Sequence, residues 1–90
     1  MGEVISRSTS DVEVAPLEDG SILFDPSSKQ FYMLNRSAAM LWEELENESS
    51  SDELAGKLCA QFPDLSMDDA RRDVEQALND LSEAGLITRR

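Results

Sequence analysis

Lys29–Gln30–Phe31–Tyr32–Met33–Leu34–Asn35–Arg36–Ser37–Ala38–Ala39–Met40–Leu41–Trp42–Glu43–Glu44–Leu45 changes its periodicity in the middle, and that change decides the fold. Up to Leu34 the run is dense in aromatic and apolar residues, as a strand is. Beyond it, Ala38, Leu41, Trp42 and Leu45 fall at the i, i+3, i+4, i+7 spacing of a helix with one buried face. Asn35 stands at the join, and its side chain is of the kind that accepts from the free N–H groups of a first helical turn. A strand therefore runs into a helix with almost no loop between them.

Toward the N-terminus, Pro26–Ser27–Ser28 reads as a turn and Ser21–Ile22–Leu23–Phe24–Asp25 as a short strand before it. Asp19–Gly20 is a second tight turn. Val12–Glu13–Val14–Ala15–Pro16–Leu17 alternates in part, and Pro16, with no N–H for a ladder, confines that strand to a sheet edge. The three strands form an antiparallel meander. Residues 1–11 read as a flexible N-terminal arm, which leaves 12–90 as a single domain.

Toward the C-terminus, Ser50 with Glu53 opens a second helix whose apolar face is Leu54, Leu58, Cys59 and Phe62, and Pro63 ends it. Ser66 with Asp69 opens a third and longest helix, with Met67, Ala70, Val74, Ala77, Leu78, Leu81 and Ala84 on its apolar face. Gly85 stops it, and Leu86–Ile87–Thr88 reads as an extended tail packed back on the core. The expected fold class is α+β, winged helix-turn-helix-like: a three-stranded antiparallel sheet followed by three helices. Its expected core is Tyr32, Leu34, Leu41, Trp42, Leu45, Leu54, Leu58, Val74, Leu78 and Leu81.

Composition narrows the function more by exclusion than by signature. The net charge is −11, and thirteen of the nineteen acidic residues lie from Asn35 onward. The third helix, which would read DNA in a winged helix, carries six acids against Arg71 and Arg72. Such a surface repels a phosphate backbone, so nucleic acid is not an expected partner. No run approaches the roughly 20 apolar residues of a membrane span, and Met1 to Ser10 lacks the apolar core of a signal peptide. The expectation is a cytoplasmic chain with no membrane partner. The single cysteine, Cys59, suits a reducing compartment and sits in an apolar helical frame. There is no histidine, and the four glycines are scattered, so neither a catalytic triad nor a phosphate loop can be assembled. No catalytic residue, metal ligand or cofactor is expected, and the carboxylates of the third helix read as solvated surface.

The ordered set Asp19–Gly20, Leu23–Phe24–Asp25, Phe31–Tyr32–Met33–Leu34–Asn35 and Leu41–Trp42–Glu43–Glu44–Leu45 resembles PqqD-type proteins. Ser51–Asp52–Glu53–Leu54 and the run from Asp73–Val74 through Leu78 and Leu81 to Gly85–Leu86–Ile87 extend the resemblance over nearly the whole chain. It implies a precursor-peptide recognition element. Such a protein performs no chemistry, holds the leader of a ribosomally made precursor peptide, and presents it to a larger modifying enzyme, often a radical SAM enzyme. It implies too that the leader adds as a strand to the third strand and lies against the third helix. An adaptor that binds a folded partner, or less readily a winged-helix DNA regulator, are the alternatives.

The expected peptide-binding residues are Lys29, Gln30, Phe31, Tyr32, Met33 and Leu34 on the strand, with Arg71, Glu75, Leu78 and Ser82 on the helix. The last four follow i, i+4, i+7 and i+11 and form one stripe beside the core face. The opposite flank of that helix is Asp73, Ala77 and Asp80, and the sequence leaves open which flank borders the groove. The resemblance points Tyr32 and Leu34 inward. Phe31 and Met33 are then either covered by other elements or exposed beside the peptide edge.

Overall fold

The structure, a computed structural model, describes residues 3–8 and 11–90. Eight elements follow one another: β1 (Ile5–Arg7), β2 (Glu13–Leu17), β3 (Gly20–Asp25), β4 (Gln30–Asn35), α1 (Arg36–Glu44), α2 (Ser51–Gln61), α3 (Met67–Glu83) and β5 (Ile87–Arg89). Strands β2, β3 and β4 form the antiparallel meander in that order, so β2, with Pro16, and β4 are its two edges. The three helices follow, each opened by the cap its sequence announces. Asn35 accepts from the Ala38 N–H, Ser50 from that of Glu53 and Ser66 from that of Asp69.

Turn chemistry sets the register of the meander. Gly20 has φ +155, and a Cβ placed there would lie 1.9 Å from the Leu34 carbonyl oxygen, so this position accepts no side chain without moving the neighbouring strand. At the other turn, the Asp25 carboxylate accepts from both the backbone N–H and the hydroxyl of Ser27, each at 3.0 Å. Burial alone would raise the Asp25 pKa, but these bonds and those from Ser28 outweigh it and hold the group below its ordinary 3.8. Folding thus depresses this pKa. The associated stability is present above the unfolded value and fades as pH falls through the folded one. Asp25→Asn should therefore lower the unfolding midpoint near neutral pH and lose that difference in acid below the ordinary carboxylate range. An equal deficit at both pH values would show that the carboxylate charge is immaterial.

Between the sheet and the helices lies one core. Nine of the ten expected residues are buried in it, and Tyr32 packs against it half-buried. Trp42 is 1% exposed, and Leu23, Leu41, Leu54, Leu58, Val74 and Leu78 are fully buried. Cys59 is half-buried, with its thiol 3.6 Å from the Leu65 carbonyl.

The expected flexible arm needs correction. Ile5–Arg7 is a strand that pairs antiparallel with β5, in the register Ile5↔Arg89, Ser6↔Thr88 and Arg7↔Ile87. Ile5 is fully buried and exchanges backbone bonds with Ser49 at 2.8 and 3.0 Å. The Arg7 guanidinium lies 4.4 Å from the centre of the Trp42 ring and donates to the Trp42 carbonyl. The physical cause is the tail beyond Gly85. Its Ile87–Arg89 strand presents a free edge that Ile5–Arg7 satisfies, which seats Ile5 in the core. Met1, Gly2, Thr9 and Ser10, the rest of that arm apart from Glu3, Val4, Ser8 and Asp11, lie outside the described residues.

Candidate functional site

Strand β4 carries the most exposed large apolar side chains among the described residues: Phe31 is 69% and Met33 78% exposed, whereas Leu34 is buried. The alternation is that of an edge strand with one face on the core. The Phe31 ring meets the Phe24 ring of β3 at 4.7 Å between centroids, on the outer face of the sheet.

Backbone direction follows from the same register. Lys29 has φ +59, and its N–H donates to the Asp25 carbonyl at 2.7 Å, the geometry of a one-residue bulge closing the hairpin. Counting from that turn, Leu23↔Tyr32 and Ser21↔Leu34 are the pairs that exchange hydrogen bonds, while Phe24↔Phe31 and Ile22↔Met33 face each other between them. Tyr32 and Leu34 thus turn their N–H and C=O groups to β3. Phe31 and Met33 turn theirs to the open edge.

A cleft of about 220 Å³ lies between that edge and α3. Leu34, Ala38, Ala77 and Leu81 give it apolar lining, and Asp73, Gln76 and Asp80 bring polar groups from α3. Met33 and Asn35 supply the strand side. The cleft exists because α1, entered directly from β4 through the Asn35 cap, packs against both β3 and α3 and holds the helix layer off the strand edge.

The helical half of the expected site lies away from this cleft. Arg71 lies 3.9 Å from Asp52 of α2, and Glu75 is held by Arg89 of β5 at 3.1 Å. Leu78 is fully buried, and none of Arg71, Glu75, Leu78 and Ser82 lines the cleft. The physical reason is the rotation of α3. Val74, Leu78 and Leu81 are drawn into the core, and β5 returns along the Glu75 side, so the flank left facing β4 is that of Asp73, Ala77 and Asp80. Asp73 and Ala77 share the cleft with Gln76 and Leu81, which spacing alone did not single out. Of the strand residues, Met33 and Leu34 line the cleft, Phe31 lies on the same edge, Tyr32 faces inward, and Lys29 and Gln30 lie at the turn end.

Among the described residues, no group of three or more His, Cys, Asp or Glu side chains could hold a metal ion, and no helix is long and apolar enough to cross a membrane. What the cleft offers is a row of free backbone groups beside an apolar floor.

The comparisons with known proteins bear on this geometry. The sequence profile of the family described as coenzyme PQQ synthesis protein D (PqqD) matches residues 20–87. Two solved structures share the fold. One is described as TbiB1 in complex with the TbiA(beta) leader peptide; it is 20% identical, with a TM-score of 0.75 over 90% of this chain and 93% of the other. The second is described as lasso peptide synthetase B1 complexed with the leader peptide; it is 25% identical, with a TM-score of 0.75 over 93% and 96% of the two chains. No curated protein matches.

Proposed function

The chain belongs to the PqqD family, and from that premise we propose that it is a non-catalytic recognition element that binds the leader of a ribosomally made precursor peptide by strand addition to β4. The observation that carries this reading is the open edge at Phe31 and Met33, facing a cleft instead of a packed helix. The two structural neighbours, each described with a leader peptide bound, support it.

Phe31 and Met33 offer an N–H and a C=O apiece to an incoming strand. Each main-chain bond contributes about 0.5–1.5 kcal/mol net, and an apolar anchor set on the cleft floor adds roughly 1.5–3 kcal/mol. Set against the ordering of a flexible leader, these terms give a complex of about micromolar affinity. A separate, larger enzyme then modifies the precursor, a radical SAM enzyme being one class that fits this place. The site of action we assign is the cytoplasm, where such a precursor is translated.

Titrating isotope-labelled protein with the cognate leader tests the reading. Amide shifts should change along Gln30–Asn35 and along the Asp73–Leu81 flank of α3. Changes confined to α1 and α2, sparing β4, would sink it.

A further inference from the structure

The geometry points to a leader whose bound strand sets a lysine or arginine against α3, with apolar residues on either side of it in sequence. This rests on the proposed strand addition and deepens it by naming the class of peptide. The cleft has an apolar floor, Leu34, Ala38, Ala77 and Leu81, and a rim that bears two carboxylates, Asp73 and Asp80, and no positive charge. A long cationic side chain matches both parts, because its methylene stem covers apolar surface while its charged head stays at the wet rim. An aliphatic residue would fill the floor but leave the two rim carboxylates without a counter-ion. An acidic residue would be repelled.

The charges around α3 leave the vacancy to the ligand. Arg72 is held by Asp69 at 3.3 Å, Arg71 lies against Asp52, and Arg89 is held by Glu3 and Glu75. Among the described residues, Asp73 has no cationic partner, and Asp80 accepts only from the neutral Gln76 amide at 3.2 Å. The net charge of −11 also draws a basic peptide toward the protein. Side chains of an added strand alternate, so the residues flanking the basic one come out on the sheet face of Phe31 and Met33, which are apolar and exposed.

Calorimetry on the full chain with the synthetic cognate leader tests this. Asp73→Lys with Asp80→Lys should weaken binding by roughly tenfold or more. Glutamate in place of the leader's basic residue should restore it on that doubly changed protein. Asp73→Asn with Asp80→Asn, which adds no repulsion, should give a smaller loss in the same direction. An equal charge change away from the cleft, Glu18→Lys with Asp64→Lys, should bind as the native chain does. If the remote pair weakens binding as much, or the cleft pair does not weaken it, or the bound segment holds no lysine or arginine, the inference is overturned. Strand addition still stands in those cases so long as Met33→Pro weakens binding strongly. If Met33→Pro has no effect, strand addition itself has failed.

Discussion

Met33→Pro should leave the protein folded and cut peptide affinity about a hundredfold, equivalent to losing roughly 3 kcal/mol. Proline removes one N–H donor, and its ring stands where the incoming backbone must approach, so the adjacent bonds fail with it. The native sheet survives because the Met33 N–H points to the open edge and serves no bond to β3. Extended Tyr32 is also compatible with a following proline. The control is the neighbouring residue. Tyr32→Pro removes a donor from the β3–β4 ladder and should disrupt the sheet itself. Melting curves with titrations of both variants check the pair. A Met33→Pro protein that melts like the native chain and still binds leader at full strength would eliminate strand addition.

Trp42→Ala should cost about 3–5 kcal/mol of folding stability, the range for emptying a large aromatic site. The side chain is 1% exposed, within the single core shared by the sheet and α1, α2 and α3. Its loss reaches further than the cavity. The Arg7 guanidinium rests on the ring at 4.4 Å, a contact between a cation and an aromatic face that also shields the charge. Without the ring, β1 keeps its backbone bonds to β5 and its buried Ile5 but loses the contact of Arg7 with the aromatic face. Denaturant unfolding should register the deficit, and hydrogen exchange should show Ile5 to Arg7 opening sooner than in the native chain. A variant within about 1 kcal/mol of the native chain would contradict the buried placement.

The caps at Asn35, Ser50 and Ser66 and the apolar faces of three helices were legible in the sequence, because each rests on local spacing; the first turn was legible too, though it falls at Glu18–Asp19 with Gly20 already in β3. Period-two alternation put Phe31 and Met33 on the face opposite Leu34 and left open whether other elements cover them; the fold leaves both exposed. Two features escaped. The pairing of Ile5–Arg7 with Ile87–Arg89 joins opposite ends of the chain, and each strand is three residues long, too short for any pattern to announce. The flank of α3 that borders the cleft depends on rotation about the helix axis. That rotation is set by α1, α2 and β5 together, so the stripe of Arg71, Glu75, Leu78 and Ser82 and the stripe of Asp73, Ala77 and Asp80 looked alike in one dimension. The extended tail after Gly85 was the available signal: a strand returning along α3 must cover one flank, and Arg89 covers Glu75.

The β1–β5 ribbon sets Ile5 directly opposite Arg89, with the Val4 N–H on the Arg90 carbonyl at 2.7 Å and the Arg90 N–H on the Val4 carbonyl at 2.8 Å. Entry to and exit from the domain are thus neighbouring points, about one strand spacing apart. A domain with such adjacent ends can be spliced into a surface loop of a larger polypeptide without stretching the host, or joined to it through either end. The same folded cassette can stand by itself or sit within a longer polypeptide, with the cleft unaltered in both arrangements.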